Sequence, residues 1–209
     1  MAGAVWFSSM DLASGYWQLD IKEEDREKTA FTTHRGLFQF RRMPFGLCNA
    51  PGTFERVMEV VVRGLQWKTC LVYLDDIVVF ARTFDEHLVR LGEVLDRLIA
   101  AGLKVKPSKC QLVRRRVMFL GHRVSEEGIG TDPAKVEAVQ SWPIPTTVTE
   151  VRSFLGLAGY YRSFVRDFSC IAKPLSALAE KGRTFLWSKE CTETFERRKG
   201  QRGGSPYNP

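Results

Sequence analysis

The chain has 209 residues, 44% hydrophobic and 26% charged, with a formal net charge of +7 and a pI of about 9.3. That is enough apolar material for one larger and one smaller domain, and no run of about eighteen apolar residues is present to span a bilayer. The start, Met1-Ala2-Gly3-Ala4-Val5-Trp6, lacks the basic and apolar regions of a secretory signal. Five scattered cysteines without a Cys-x-x-Cys pair argue against a disulfide framework or zinc site and for a reducing compartment.

In chain order, Val5 to Leu12 reads as a strand carrying Asp11 near its end, and Ala13-Ser14-Gly15 as a turn. A charged loop, Lys22 to Lys28, leads to two strands, Thr29 to Thr33 and Leu37 to Arg41, joined through Arg35-Gly36. Asn49 and Pro51 mark a helix start; Phe54, Val57, Met58, Val61 and Val62 form its apolar face, and Gly64 ends it. A strand from Thr69 to Leu74 precedes Asp75-Asp76, and a second apolar run, Ile77 to Ala81, follows. Thr83 and Glu86 make a capping box for a helix in which Leu88, Leu91, Leu95, Leu98 and Ile99 recur at helical spacing. Gly102 stops it. Val117 to Leu120 and His122 to Ser125 form a short hairpin.

Beyond Gly130 the pattern turns helical, which places a domain boundary near Gly128 to Thr131. Asp132-Pro133 starts one helix, Trp142-Pro143-Ile144-Pro145 is a rigid break, and Thr147 with Glu150 caps a helix with the stripe Val151, Phe154, Leu155, Ala158, Tyr161. Ser169 to Ala179 reads as a further helix; from Arg197 the chain is polar and glycine-rich and is predicted to be disordered. Lys104, Lys106, Lys109, Arg114, Arg115, Arg116 and Arg123 follow the acidic pair closely and suit a phosphate backbone, a solvated surface being the alternative.

Chemistry concentrates at Leu71-Val72-Tyr73-Leu74-Asp75-Asp76-Ile77-Val78-Val79-Phe80. Two apolar strands flank two adjacent acids, so the local structure is a hairpin with acids at its turn. Asp-Asp is a poor turn dipeptide, and adjacent like charges repel unless neutralised. Oxygen ligands of this kind suit Mg²⁺. Alone, the pair also reads as a solvated surface turn. Asp11, at a second strand end, adds the further carboxylate that two ions roughly 3.5–4 Å apart need for phosphoryl transfer.

Phe7-Ser8-Ser9-Met10-Asp11-Leu12-Ala13-Ser14-Gly15-Tyr16-Trp17-Gln18, Met43-Pro44-Phe45-Gly46-Leu47-Cys48-Asn49-Ala50-Pro51, Tyr73-Leu74-Asp75-Asp76, Gly102-Leu103-Lys104-Val105-Lys106-Pro107-Ser108-Lys109-Cys110 and Phe119-Leu120-Gly121-His122 follow one another along the chain. In that order they resemble the motifs of reverse transcriptases of Gypsy/Ty3-type long-terminal-repeat retrotransposons, part of a pol polyprotein. Val151 to Leu178 resembles the thumb of that family, and the resemblance runs from about Val5 to Phe195.

The resemblance implies an α+β fold: a polymerase palm with an antiparallel sheet and packed helices, followed by a helical thumb, with the fingers incomplete. It implies a palm with residual fingers strands over 1–128, a thumb over 129–182, and over 183–209 the start of a connection region running into a disordered tail. It implies Asp11, Asp75 and Asp76 as catalytic carboxylates. They hold two Mg²⁺ ions, for which Mn²⁺ substitutes, together with the backbone carbonyl of Leu12. Lys109 stands where the family has a lysine proposed to protonate pyrophosphate, a phosphate contact being the alternative. Tyr16 stands where the family places an aromatic gate against the 2′-hydroxyl of the incoming nucleotide, and Phe45 and Gly46 also approach that nucleotide. Tyr73, Phe119, Leu120, Gly121 and His122 are implied to hold the primer end, and Tyr160, Tyr161 and Arg162 to line the duplex. Read by themselves, Tyr16 is a core aromatic, Phe45-Gly46 a turn, His122 a hairpin histidine and the tyrosines helix packing.

The implied partners are a primed RNA or DNA template and a dNTP, with no membrane; oligomeric state is not read from the sequence. The family's triphosphate-clamping fingers precede its palm, and connection and RNase H domains follow in the same polyprotein. The chain is therefore expected to be a fragment working in a cytoplasmic particle or the nucleus, not secreted. The competing expectation is a catalytically impaired remnant that only binds primer–template duplex. A two-metal nuclease leaves Tyr16, Phe45-Gly46 and the Phe119–His122 hairpin without a reason.

Overall fold

The computed structural model describes residues 1, 3–165, 167–180 and 184–200. The chain divides after Leu120 into two compact units, Met1–Leu120 and Gly121–Pro209. The sequence places the change of character later, near Gly128 to Thr131; the difference is one β-hairpin that belongs to the second unit.

The first unit is built on a four-stranded sheet. Strand β1 (Trp6–Asp11) lies inside it, within the strand predicted from Val5 to Leu12. The short helix α1 (Glu23–Arg26) and a 3-10 turn (Glu27–Thr29) replace the predicted charged loop. Strands β2 (Phe31–Thr33) and β3 (Gly36–Phe38) form a separate hairpin. It is shorter than predicted, and because Thr33 pairs with Gly36 its turn residues are His34 and Arg35. Helix α2 (Ala50–Val61), strands β4 (Cys70–Tyr73) and β5 (Asp76–Ala81) and helix α3 (Phe84–Ala100) follow as expected. Strand β6 (Gln111–Arg114) was not legible, being a short, mostly exposed edge strand without apolar alternation. The order is β4-β5-β1-β6. Strand β7 (Arg116–Phe119) packs against β1.

Antiparallel pairing sets Met10 opposite Ile77, Ser8 opposite Val79 and Asp11 opposite Asp76. Since successive side chains alternate faces, Ser8, Met10, Ile77 and Val79 share one side. There they meet Phe54 and Met58 of α2 and Leu91, Val94 and Leu98 of α3, all buried. Asp11 and Asp76 fall on the opposite side.

Helix α3 is rotated from the predicted leucine face. Leu88 and Ile99 are 45% and 72% exposed, whereas His87 and Val94 are fully buried. The stripe His87-Leu91-Val94-Leu98 runs at the same helical spacing, and a polar residue at its head hid it. His87 is accommodated because Ser8 Oγ lies 2.7 Å from its Nε2. Ser8 also accepts the Val113 N–H at 2.9 Å, so its own proton is free to point to the imidazole. Val113 has φ 54, unusual for a β-branched residue, beside the register shift where β6 leaves β1. The predicted capping box is present: Thr83 accepts the Glu86 N–H at 3.3 Å, while Glu86 accepts the Arg82 N–H at 3.0 Å.

The second unit opens with the hairpin β8 (His122–Ser125) and β9 (Gly128–Thr131). Helices α4 (Pro133–Gln140), α5 (Val148–Tyr160), α6 (Phe168–Leu178) and α7 (Lys189–Gly200) follow. Asp132 caps α4 and Thr147 caps α5, as the sequence implies. Val151, Phe154, Leu175, Leu178, Cys191 and Phe195 form a buried core, so α7 packs back onto this unit. Loss of order was predicted from Arg197; α7 runs on to Gly200, and 201–209 lie outside the described residues. Among the described residues no helix is long and apolar enough to cross a membrane. All five cysteines are free thiols, and burial pushes the Cys70 thiol up to about 11.

Replacing Ser8 with alanine strands the Val113 N–H and His87, and is expected to lower unfolding stability by about 2 kcal/mol in urea denaturation at pH 7. A loss near zero would show that the network carries no load. Burial, then Arg90, holds the His87 imidazole below its ordinary 6.5. The unfolded chain therefore takes up this proton first, and the contribution of neutral His87 falls away as pH drops below 6.5. The stability difference between the native chain and His87→Gln should shrink over that range in pH-dependent thermal unfolding.

Candidate active site

Strand pairing builds the acidic centre. Asp11 ends β1 and stands directly across from Asp76, the first residue of β5. Tyr73 is the other cross-strand neighbour of Asp76, which leaves Leu74 and Asp75 as the two turn residues. The acids were predicted to form the turn; in the structure only Asp75 does, and Asp76 already belongs to the strand. The Asp75 carbonyl accepts the Leu12 N–H at 3.1 Å, which ties the turn to the end of β1.

Two neighbours shape the turn. Gly15 is buried beneath it, where an added Cβ would lie 2.1 Å from Asp75 Oδ1 and 2.7 Å from Phe54 Cζ. A side chain there is sterically barred, a reason for the glycine that turn chemistry alone does not reveal. Leu74 has φ 51, the left-handed region that costs a leucine roughly 1–2 kcal/mol. Its N–H is held at 2.8 Å by Glu55 Oε2 from α2, and a hydrogen bond of about 1 kcal/mol offsets much of that cost. Glu55 was missed in the sequence: nothing distinguishes it from other polar residues of an amphipathic helix. Gln18 braces the segment that follows β1. Its side chain donates to the Ala13 and Lys104 carbonyls at 2.9 and 3.0 Å and accepts the Lys104 N–H at 2.7 Å.

Lys109 donates to Asp11 Oδ2 at 2.9 Å. That bond, then the charge of Asp11, raises the lysine above its ordinary value. Burial raises the carboxyl of Asp75, followed by the charges of Asp11 and Asp76; burial and Asp11 do the same to Asp76. Asp75 Oδ1 is buried without a hydrogen-bond partner. An orphaned carboxylate oxygen beside two further acids is the donor set of a hard divalent cation. Among the described residues no three potential ligands already close around one point, and Asp11 is turned onto Lys109. A cavity of about 270 Å³ opens on this side, bounded by Asp11, Asp76, Lys109, Met118 and Phe119.

The remaining predicted residues of the first unit lie around this centre. Tyr16 is half-buried, its ring 5.3 Å from Phe45 and 5.4 Å from Phe54; burial, then Asp75, raises its hydroxyl. Phe45 is 61% exposed. Gly46 has φ 94 with open space where a Cβ would be, so backbone conformation, not crowding within the chain, requires the glycine. Leu12 is buried. Tyr73 and Phe119 border a second cavity, of about 430 Å³, together with Glu55 and Leu120, the latter at φ 47. Lys104, Lys106, Arg114 and Arg116 are exposed, while Arg115 lies 3.9 Å from the Trp6 ring centre.

Gly121, His122, Tyr160 and Tyr161 belong to the second unit and come together there. A Cβ on Gly121 would meet Lys135 Nζ at 2.7 Å and Tyr160 Oη at 2.8 Å. Tyr161 donates to the Gly121 carbonyl at 2.6 Å, and His122 stacks on Tyr160 at 5.3 Å. Burial, then Lys135, keeps the His122 imidazole below its ordinary value.

Comparison with known proteins places this geometry. Residues 1–124 match the family model described as reverse transcriptase (RNA-dependent DNA polymerase). The chain is similar to the retrovirus-related Pol polyprotein from transposon 297 of Drosophila melanogaster, 45% identical over 93% of this chain and 18% of the relative. It is also similar to that from transposon gypsy of the same fly, 43% identical over 91% and 18%. The chain thus spans about a fifth of the length of these curated relatives. Among solved structures it resembles a foamy viral protease-reverse transcriptase in complex with double-stranded DNA, with a TM-score of 0.86 and 32% identity over 93% of this chain and 34% of that one. With the acids, the glycine beneath them and the family model coinciding in the first unit, the chain belongs to the reverse transcriptase (RNA-dependent DNA polymerase) family, in its Gypsy/Ty3 retrotransposon branch.

Proposed function

We propose that this chain is the palm and thumb of an RNA-directed DNA polymerase, the first unit carrying the palm and the second the thumb. The reaction is attack of a primer 3′-hydroxyl on the α-phosphate of a dNTP, with release of pyrophosphate. The observation that carries the reading is Asp11 set opposite Asp76, with the buried, unpartnered Oδ1 of Asp75 beside them.

Asp11, Asp75 and Asp76, with the Leu12 carbonyl, are the residues that would hold two Mg²⁺ or Mn²⁺ ions; the family generally uses divalent cations. When bound, such ions activate the attacking hydroxyl and neutralise charge on the phosphates. The chain's own residues do the rest. Lys109, already beside Asp11, is placed to meet the leaving pyrophosphate and supply a proton to its oxygen. Tyr16, wedged between Phe45 and Phe54, presents a fixed ring against which a 2′-hydroxyl clashes. Phe45 and Gly46 take the nucleotide. Tyr73, Phe119 and Leu120 take the primer end. Exposed lysines and arginines suit the phosphates of a primed RNA or DNA template. We place this work inside the cell, in a cytoplasmic particle or the nucleus, where free thiols stay reduced.

Primer extension on a poly-A template with Mg²⁺ or Mn²⁺ tests the reading. Asp75→Asn is expected to reduce incorporation by about a hundredfold or more. Duplex binding without incorporation, even at high protein concentration, would instead mean that the chain only binds nucleic acid. Tyr16→Val is expected to raise ribonucleotide incorporation relative to deoxynucleotide by about tenfold or more, measured as the ratio of the two kcat/KM values.

A further inference from the structure

The hairpin that carries Asp75 and Asp76 does not hold its shape by turn chemistry. Neither turn residue is a glycine, and Leu74 sits at φ 51, where leucine is rarely found. Something outside the hairpin has to select that conformation. The contact present is from α2, where Glu55 Oε2 accepts the Leu74 N–H at 2.8 Å. Helix α2 is a rigid support for it, since Phe54 and Met58 are fully buried. Phe54, the residue before Glu55, also lies against Gly15 beneath Asp75, so consecutive residues of one helix reach the turn from two directions.

Burial sets Glu55 apart from the other acid of α2. Glu59, one helical turn on, is exposed to solvent, as a polar residue of an amphipathic helix ordinarily is. Glu55 is half-buried, and both glutamates border the 430 Å³ cavity on the Tyr73 and Phe119 side of the hairpin. Without its carboxylate, the Leu74 amide faces space into which the turn can relax, and both catalytic aspartates move with it.

We propose that Glu55 is a positioning residue for nucleotidyl transfer: by holding the Leu74 amide it keeps the turn left-handed and sets the placement of Asp75 and Asp76. The inference rests on those aspartates being the polymerase acids. It concerns a hydrogen bond, not a charge, so glutamine, which keeps an acceptor oxygen, should replace glutamate while alanine should not. It also concerns a strained φ, so glycine at position 74 should reduce the need for the brace.

The test compares the native chain with Glu55→Ala, Glu55→Gln, Leu74→Gly and the double variant Glu55→Ala/Leu74→Gly. Two readouts are taken: hydrogen exchange of the amides at 73–76, and steady-state primer extension. Glu55→Ala should speed exchange at Leu74 by about tenfold or more and lower kcat by about tenfold to a hundredfold, with the dNTP KM within about threefold. Glu55→Gln should stay within about threefold of the native chain in both, and adding Leu74→Gly to Glu55→Ala should recover part of the lost kcat. Unchanged exchange at Leu74 in Glu55→Ala, or equal damage from glutamine and alanine, overturns the proposal. If Glu55→Ala does not fold, Glu55→Met, which fills space without an equivalent oxygen acceptor, takes its place. If the native chain incorporates no nucleotide, the polymerase reading fails for this chain, while the exchange comparison still decides whether Glu55 holds the turn.

Discussion

The constraint on which the rest of this structure depends is the placement of Asp11 directly across from Asp76. Cross-strand neighbours of this kind have Cβ atoms about 5 Å apart, close enough for like charges to repel. Asp75 adds a third acid in the adjoining turn. Lys109 offsets part of this through its exposed ion pair with Asp11. Burial first, and then the neighbouring acids, raise the carboxyls of Asp75 and Asp76.

The surrounding architecture keeps the acids together despite that repulsion. Gly15 leaves no side chain beneath Asp75, Gln18 ties the end of β1 to the loop at Lys104, and Glu55 secures a turn that a leucine would not adopt by itself. Further along β1, the buried Ser8–His87 contact and the Val113 N–H join α3, β1 and β6. Polar contacts thus brace β1 at its end and along its length, while apolar packing of α2 and α3 covers the face that carries Met10 and Ile77. Strained backbone accompanies the site: Ser14, Leu74 and Val113 all have positive φ close to the residues that carry the chemistry or to the strand that positions them.

The local signals that the chain displays were read correctly where one physical rule governs them. Thr83 with Glu86, Asp132 before Pro133, and Thr147 with Glu150 are caps in the sequence and in the structure, because capping depends on residues within one turn. The face of α3 was misjudged because leucines mark two overlapping stripes, and the buried one begins with a histidine whose partner lies 79 residues away. Strand β6 escaped because it is short, mostly exposed and without apolar alternation, and only β1 makes it a strand.

The sequence by itself determined the acids, their order along the chain and the family to which they belong, because ordered motifs are linear information. It also determined most helix limits and the strands flanking Asp75-Asp76, through periodicity and caps. Tertiary structure alone decided that Asp11 faces Asp76, that Lys109 reaches Asp11 from 98 residues away, that Gly15 is a matter of space and that Glu55 holds Leu74. Each of these is a contact between elements distant in sequence. Its existence depends on strand register and helix rotation, which no single segment encodes.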